Sequence, residues 1–578
     1  MTSSAKSPGD VLQEITRNNA AIVEKFLGQL PSVGNGDIAT VMRVFASADD
    51  QQLEKLRLLE EAFYRDHLSL WGQLIAPSGG TAIPTTIPAA QSDNRFEAPE
   101  WRLPFFQYVQ QAYLLNARFL RELGDLAELE PHAKRRLQFQ LRQLADAMSP
   151  NNYAATNPEV IKLAAENSGE SLAQGMKLLA GDVARGRISM TDEQAFEVGR
   201  NLAITPGSVV FENEVMQLIQ YAPATEQVYE YPLLIVPPFI NKYYILDLQP
   251  ENSFVRFCVE QGFSTFIVSW RNIPPELGQL GWDDYIEKGV FAPLDAIKAI
   301  SGADKVNALG FCVGGTLLSC ALAVKAARSE NLVTSLTLLA TMLDFSETGD
   351  ISVYIDRDFV ERSEQDFREP GLMPGSRLAS TFATLRANDL IWHYVINNYL
   401  KGRQPRAFDL LYWNADGSNL PGRLYTYYLR NMYLENNLRI PGRLEVCGVP
   451  LDLGAIVVPA YIVATREDHI VPWKSAYAGV GLLGGSTEFV LGASGHVAGI
   501  VNPAAKNRRH FWLNSSTTED ADAWLANSAQ QAGSWWKHWA QWLSNRSGKQ
   551  KPAPTRPGNR QYPALEPAPG RYVKEKSA

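Results

Sequence analysis

The residue best suited to nucleophilic chemistry in this chain is Cys312, within the stretch "ALGFCVGGTLLSC". Gly310 and Gly314 flank it in the pattern G-x-C-x-G. Small residues at these positions are typical of a strand that turns sharply into a helix and leaves the central side chain exposed. A thiol at the N-terminal end of a helix also lies at the positive end of the helix dipole, which favours the reactive thiolate. The pattern predicts a nucleophile, with a small buried cysteine in a glycine-rich turn as the alternative.

Two residues that can activate this thiol follow later in the chain. Asp468 comes just after the apolar run "PAYIVAT", and His496 just after "EFVLGASG". An imidazole can take the proton of a thiol, and a carboxylate can hold the imidazole in one tautomer. We therefore predict a catalytic triad with Cys312 as nucleophile, His496 as general base and Asp468 as the acid that orients the base.

Two alternatives compete with this triad. Asp468 could cap its own turn while the neighbouring His469 serves as the base, and His496 could be a hydrogen-bonded core histidine. His469 lacks the glycine-flanked loop that surrounds His496, and it does not fit the chain order of nucleophile, acid and histidine. The triad with His496 is thus the favoured prediction.

The oxyanion that forms when a thiolate attacks a carbonyl group needs hydrogen-bond donors. The backbone N–H of Val313, the residue after the nucleophile, is the first candidate. The second is expected from the loop after "PLLIV", where Phe239 and Ile240 in "PPFINKYY" stand as alternatives.

The elements that position these residues are short apolar runs alternating with helical patterns. The runs are "PLLIV", "STFIVSW", "VNALGF", "SLTLLAT", "AYIVAT" and "EFVLG". Such alternation predicts a parallel sheet with crossover helices, and nucleophile, acid and histidine after successive strands are typical of the α/β-hydrolase fold. The fourth and fifth runs are too far apart for one crossover, so a cap inserted at about 345–450 is predicted.

The predicted fold class is α/β, an α/β-hydrolase fold with this inserted cap and an N-terminal helical domain. The predicted organisation is a helical segment at 1–75, a flexible linker at 76–95, a helical domain at 96–204, the α/β-hydrolase domain at 205–548 and a proline-rich tail at 549–578.

The composition argues against several classes of protein. A net charge of −8 over 578 residues does not fit a nucleic-acid binder. The four cysteines form no CxxC pair, so no disulfide framework is expected and a reducing cytoplasm fits. No signal peptide is predicted at the N-terminus. The uncharged run Val306–Val324 approaches the length of a membrane span, but its glycines suit a turn better, and no transmembrane segment is predicted.

A cysteine in place of the commoner serine suits exchange between thioesters. A thiolate accepts an acyl group from another thioester with little change in bond energy, so the transfer is reversible. Passing that acyl group to an alcohol requires the exclusion of water, which the predicted cap can provide. We therefore expect slow thioester hydrolysis when no productive acceptor is present.

An ordered set of motifs over about residues 100–578 resembles the class I polyhydroxyalkanoate synthases. The motifs are "VPPFINKYYILDLQPENSF", "VSWRN", "GFCVGGTLL", "LDF", "NDLIWHYVINNYLKG", "REDHIVPW", "LGASGHVAGIVNPAAKN", "GSWW" and "EPAPGRYV". The resemblance implies polymerisation of (R)-3-hydroxyacyl-CoA, of short chain length such as 3-hydroxybutyryl-CoA, with release of CoA through an acyl-cysteine. The family triad falls on Cys312, Asp468 and His496, and Asp468 either orients His496 or activates the substrate hydroxyl.

The resemblance also implies partners and a location. Expected partners are the growing polyester chain, the surface of cytoplasmic polyester granules, phasins and a second copy of the chain in a homodimer. Coenzyme A is part of the substrate and a product, and neither a cofactor nor a metal is expected. The tryptophans of "GSWWKHWAQWL" either touch polymer or close the domain. The rival functions are a cysteine-dependent thioesterase or esterase, and a granule scaffold without activity.

Overall fold

The computed structural model describes residues 49–75, 93–369, 371–517 and 520–577. Two compact units are present. One comprises the residues up to Asp192 together with Thr381–Arg406, and the other comprises Glu193–Ser380 and the residues from Ala407 onward. The predicted N-terminal helical segment up to residue 48 and the predicted linker up to residue 92 lie outside the described residues.

The first unit is helical. Its α-helices are α1 (Asp50–Ile75), α2 (Pro104–Leu126), α3 (Pro131–Ala147), α4 (Pro158–Glu166) and α5 (Glu170–Arg185). Proline begins α2, α3 and α4, at a position where its missing N–H would have no helical acceptor. Buried Asp182 of α5 accepts hydrogen bonds from the hydroxyls of Ser189 at 2.6 Å and Tyr399 at 2.7 Å. These contacts fix the returning segment 381–406 to α5.

The second unit contains a large mixed sheet. The strands of this unit are β1 (Gly207–Glu212), β2 (Met216–Tyr221), β3 (Gln227–Tyr229), β4 (Leu233–Val236), β5 (Thr265–Trp270), β6 (Val306–Phe311), β7 (Val333–Leu339), β8 (Leu372–Met373), β9 (Leu420–Pro421), β10 (Glu445–Val446), β11 (Val449–Pro450), β12 (Ala460–Thr465), β13 (Thr487–Gly492), β14 (His510–Leu513), β15 (Ala529–Ala532), β16 (Gln550–Pro552) and β17 (Glu566–Pro567). Eleven of them form one sheet in the order β15-β14-β13-β12-β7-β6-β4-β5-β2-β1-β17. The strands from β13 to β5 in that order are parallel, and antiparallel strands flank them.

Helices connect and cover these strands. They are α6 (Phe254–Glu260), α7 (Trp282–Ile286), α8 (Ala292–Ser301), α9 (Val313–Ala327), α10 (Arg357–Asp366), α11 (Gly375–Leu385), α12 (Asp409–Asn414), α13 (Gly422–Tyr428), α14 (Trp473–Ala478), α15 (His496–Ile500), α16 (Ala521–Ala526) and α17 (Trp536–Ser544). The stretch between β7 and β12, predicted as a cap, is largely helical, and its residues 381–406 belong to the first unit.

The sheet separates two apolar cores. On β4, Leu234 and Val236 face the core that contains α9, whereas Leu233 and Ile235 face the core that contains α17. A strand buried on both faces has a continuous apolar sequence, which explains why the six predicted runs are β4, β5, β6, β7, β12 and β13. The prediction of a parallel sheet is thereby confirmed.

The tryptophan-rich helix belongs to this packing. Trp535 and Trp539 are fully buried and Trp542 is 7% exposed, so these side chains close the domain and are not available to an external polymer. Across the described ranges, none of the helices combines the length and the hydropathy needed to cross a membrane. The uncharged run Val306–Val324 instead forms β6, a turn and most of α9.

Candidate active site

Cys312 lies in the turn between β6 and α9. Its backbone has φ 53° and ψ −129°, which is unusual for a residue with a side chain. Its N–H donates to the Leu339 carbonyl at 2.8 Å, and its carbonyl accepts from the Gly315 N–H at 2.9 Å and the Thr341 hydroxyl at 3.3 Å. Surrounding contacts of this kind maintain a strained conformation. They hold the partly exposed thiol at the carboxyl end of β6.

Both motif glycines are required by close packing. A Cβ at Gly310 would lie 2.3 Å from the Cα of Gly315. A Cβ at Gly314 would lie 2.4 Å from the carbonyl oxygens of Val236 and Pro237. Gly310 therefore lets β6 meet the first turn of α9, and Gly314 lets that turn touch the end of β4 and the loop after it.

His496 and Asp468 lie together at the same edge of the sheet. His496 begins α15 after β13, and its Nδ1 lies 2.7 Å from Oδ2 of Asp468, which follows β12. The other oxygen of Asp468 accepts from the N–H groups of Ile470 and Val471, each at 2.9 Å. The side chain of His496 is 10% exposed and that of Asp468 is 0% exposed. The carboxylate is thus fixed before any substrate binds.

Burial and charge act in opposite directions on this pair. Burial by itself lowers the pKa of His496, but the Asp468 carboxylate and the Cys312 side chain raise that pKa well above its ordinary value. Burial raises the pKa of Asp468, yet the charge and hydrogen bond of His496, together with the backbone donors, bring that pKa below its ordinary value. An ionised carboxylate beside a protonated imidazole is therefore favoured, which is the state reached when His496 takes a proton from Cys312.

The remaining ring nitrogen of His496 is the one available to the thiol. Nδ1 is engaged by Asp468, and the Cys312 side chain contributes to the raised pKa of His496. The ring of Phe311 stacks on the imidazole with centroids 5.6 Å apart. The structure thus places Cys312, His496 and Asp468 at the same edge of the sheet, and their roles as a catalytic triad stay a prediction.

Comparison with known proteins identifies the family. A family model described as "Poly-beta-hydroxybutyrate polymerase (PhaC) N-terminus" matches residues 92–258, and one described as "alpha/beta hydrolase fold" matches residues 231–503. The poly(3-hydroxyalkanoate) polymerase subunit PhaC of Cupriavidus necator is 50% identical over 526 residues, covering 90% of this chain and 88% of the relative. The corresponding subunit of Rhizobium meliloti is 40% identical over 511 residues, covering 87% and 83%. The chain belongs to the poly(3-hydroxyalkanoate) polymerase family.

Membership of this family confirms the predicted acyltransferase of polyhydroxyalkanoate biosynthesis, and the family model confirms the α/β-hydrolase fold. Among solved structures, a monoacylglycerol lipase from Paleococcus ferrophilus resembles the polymerase with a TM-score of 0.33 and 11% identity, covering 57% of this chain and 99% of the lipase.

The candidate oxyanion donors of the polymerase belong to the first residue of α9 and to the loop that follows β4. Val313 is the first residue of α9, and the first N–H groups of a helix have no acceptor within it. After β4, the ring of Phe239 packs edge-on against Trp270, and the Ile240 carbonyl accepts from the Ser418 N–H at 2.9 Å. The choice between Phe239 and Ile240 as second donor stays a prediction.

Aromatic residues of the inserted segment also lie at the site, and sequence reasoning assigned them no role. Tyr428, at the end of α13, and Tyr433 pack edge-on with ring centroids 5.3 Å apart, and Phe345 lies 5.2 Å from Tyr433 in the same manner. Burial raises the pKa of Tyr433, and the nearby Cys312 adds to that rise. The density of tyrosine in "RLYTYYLRNMYL" is the signal that could have found them.

The alternative base His469 lies in the same turn as Asp468. Its carbonyl accepts from the Asp350 N–H at 3.4 Å, and Gly349 packs closely against it. The carboxylate of Asp468 pairs with His496 instead. Over the part of the chain that the structure describes, no group of three or more His, Cys, Asp or Glu side chains is arranged to hold a metal ion.

Proposed function

We propose that this polymerase joins (R)-3-hydroxyacyl groups from coenzyme A thioesters into polyester through an acyl-cysteine at Cys312. The observation that carries the proposal is the 2.7 Å contact between His496 Nδ1 and Asp468 Oδ2 beside that cysteine. It is supported by the 50% identity to a named polymerase.

Acylation begins when His496 Nε2 takes the proton of Cys312. The thiolate attacks the thioester carbon, and the carbonyl oxygen becomes an oxyanion that accepts from Val313 N–H and from Phe239 or Ile240 N–H. The bond between carbon and the coenzyme A sulfur then breaks, and the leaving thiolate takes the proton from His496. Because the attacking and leaving groups are both thiolates, the two directions are similar in energy.

Chain growth transfers the acyl group from sulfur to oxygen. The 3-hydroxyl of another hydroxyacyl unit attacks the thioester on Cys312 and loses its proton to His496. The new ester forms as the carbon–sulfur bond breaks, and the Cys312 thiolate regains the proton from His496. The site is then ready for another acylation.

We assign Asp468 to the orientation of His496 rather than to direct activation of the hydroxyl. One of its oxygens accepts from the N–H groups of Ile470 and Val471, and the other contacts His496 and the Thr465 hydroxyl. Because the side chain has no exposed surface, a substrate hydroxyl could reach the carboxylate only by displacing one of these partners.

The aromatic residues at the site support a short acyl chain. Phe345, Tyr428 and Tyr433 pack on one another, and Cys312 lies close enough to raise the pKa of Tyr433, so we propose that these rings border the acyl chain, limit its length and restrict the access of water. We propose 3-hydroxybutyryl-CoA as the substrate class.

Family membership alone supports the remaining proposals. These are a homodimer, action on the growing polyester at the surface of cytoplasmic granules, contact with phasins, and catalysis without a cofactor apart from the coenzyme A carried by the substrate.

The test is incubation with (R)-3-hydroxybutyryl-CoA. We expect stoichiometric release of CoA together with insoluble polyester, whereas free hydroxy acid would indicate a hydrolase and no turnover would indicate a scaffold. Cys312→Ala should abolish release, and Cys447→Ser, a partly exposed cysteine in the β10–β11 turn, serves as the matched control. Turnover by C312A would overturn the assignment of the nucleophile.

A further inference from the structure

The loop after β4, residues 237–244, carries the candidate second oxyanion donor and is here named the oxyanion loop. Trp270 Nε1 donates to the Pro237 carbonyl at 2.8 Å, and the Ser418 N–H donates to the Ile240 carbonyl. These bonds orient the peptide groups at the start of the loop. The direction of a backbone N–H group in this loop therefore also depends on the contacts that hold the other end of the loop.

Lys242 holds the other end of the loop. Its side chain is buried, with the residue 2% exposed, and its Nζ donates to the Glu575 carbonyl at 2.7 Å. Its own carbonyl accepts from Trp413 Nε1 at 2.7 Å. Burying an ammonium group is unfavourable unless it is hydrogen-bonded, and burial lowers the pKa of Lys242 to about 8, opposed by Asp416. The buried ammonium group is therefore kept in place by its bond to the Glu575 carbonyl and by the charge of Asp416.

The partner of Lys242 belongs to residues 571–576, here named the C-terminal strap. The Asn272 side chain donates to the Lys576 carbonyl at 2.9 Å, and Lys576 Nζ lies 3.1 Å from Asp416 Oδ1. Asp416 in turn accepts from the Tyr244 hydroxyl at 2.9 Å. The strap thus contacts the oxyanion loop both directly and through the inserted segment.

The strap is anchored to the sheet at its beginning. The side-chain oxygen of Gln217, a fully buried residue on β2, accepts from the N–H groups of Arg571 and Tyr572, each at 3.2 Å. The guanidinium of Arg271 lies 4.9 Å from the centre of the Tyr572 ring. The strap therefore connects the rigid sheet to Lys242.

We infer that Lys242 is a positioning residue for acyl transfer, because its bond to the Glu575 carbonyl fixes the oxyanion loop to the C-terminal strap and so aims the Phe239 or Ile240 N–H at the thioester oxygen. The inference rests on the proposed function. Lys242 acts through the loop and makes no contact with the reacting atoms. Its effect should fall on the rate of the chemical step and not on substrate binding.

The test is Lys242→Met, which keeps the length of the side chain and removes the donor. Since loss of one oxyanion donor costs about 10²–10³-fold in kcat and a misaimed donor costs less, we expect kcat for CoA release to fall about 10–100-fold with KM changed less than about twofold. The control is Lys551→Met, because Lys551 Nζ also donates to a backbone carbonyl, that of Ser301 at 3.2 Å, away from the site. K551M should match the wild type.

A second variant removes the acceptor. Deletion of residues 575–578 should reproduce the kcat of K242M, and the combined variant should be no slower than the slower single change, because both remove the same bond. A loss of kcat that follows the folded fraction measured by circular dichroism, or multiplicative losses in the combined variant, would overturn the inference.

If the wild type is active and K242M matches K551M, only this inference fails. If the wild type releases no CoA, the proposed function itself fails.

Discussion

The two sides of the candidate oxyanion site are held in different ways. The Val313 side belongs to a turn whose own residues brace it, as in the bond from the Gly315 N–H to the Cys312 carbonyl, and which continues directly into α9. The oxyanion loop is held by Ser418 and Glu575, which come much later in the chain. The nucleophile turn thus combines bonds within the turn with bonds to Leu339 and Thr341 at the end of the neighbouring strand, whereas the second donor depends on segments that come much later in the chain. We therefore expect changes far from the site to alter the rate without altering the thiol.

Apart from the loss of Cys312 itself, the largest expected effect comes from Asp468→Asn, which disturbs the nucleophile side of the site. An amide donates to the imidazole nitrogen that should itself be a donor, so the wrong tautomer of His496 is favoured and kcat should fall by about 10³–10⁴-fold. Because Asp468 acts through His496, acylation of Cys312 and chain growth should both slow. Single-turnover release of CoA and mass spectrometry of the acyl-enzyme measure the two steps.

The matched control for this variant is Asp409→Asn, a buried aspartate that accepts from the Asn252 side chain at 2.8 Å. It should retain near wild-type turnover. Acylation of D468N at the wild-type rate, with only chain growth lost, would contradict orientation and support direct activation of the substrate hydroxyl by Asp468.

Gly314→Ala should disturb the contact between the two sides of the oxyanion site, where the first turn of α9 touches the end of β4 and the loop after it. The added Cβ would lie 2.4 Å from the carbonyl oxygens of Val236 and Pro237, so α9 and the oxyanion loop must move apart. We expect kcat to fall by about 10²–10³-fold, as for the loss of an oxyanion donor. Gly481→Ala is the control because no heavy atom beyond its own stretch of chain lies within 4 Å of its Cβ position. Equal CoA release by both variants would show that this contact does not matter.

The difference between the two sides of the oxyanion site also explains which parts of the site could be predicted from the sequence. Cys312, Asp468 and His496 follow buried parallel strands, which have recognisable apolar patterns, and so each could be assigned to the end of a strand. The contact of Lys242 with Glu575 could not be predicted, because it joins residues far apart in the chain and neither lies in a repeating pattern. The antiparallel flanking strands were not predicted because their patterns are weaker: β15 is four exposed residues, and the buried strand β2 is interrupted by the polar residues Gln217 and Gln220.

The ion pair at the nucleophile side also predicts a pH dependence of stability. The pKa of Asp468 is lowered, so its contribution to the free energy of unfolding is complete above about pH 4 and is lost as the pH falls through the lowered value. The pKa of His496 is raised, so its contribution is complete below about pH 6.5 and is lost as the pH rises through the raised value.

The difference in Tm between the wild type and D468N should therefore be largest between about pH 4 and 6.5 and should shrink on both sides. Thermal unfolding followed by circular dichroism across this range measures it. A difference that stays constant with pH would mean that the two side chains are not an ion pair in the folded protein.

The smallest expected effect concerns Lys576. It tests whether the charge of this residue or the backbone of the C-terminal strap holds the oxyanion loop. Lys576→Met removes the ion pair with Asp416, but the Lys576 side chain is 60% exposed, which weakens the pair, and the buried Asp416 carboxylate still accepts from the Tyr244 hydroxyl. The Lys576 carbonyl still accepts from Asn272, and the Glu575 carbonyl still accepts from Lys242. We expect kcat to change by less than about twofold, measured as CoA release beside K242M. A loss as large as that of K242M would show that the charge of Lys576, and not the backbone of the strap, holds the oxyanion loop.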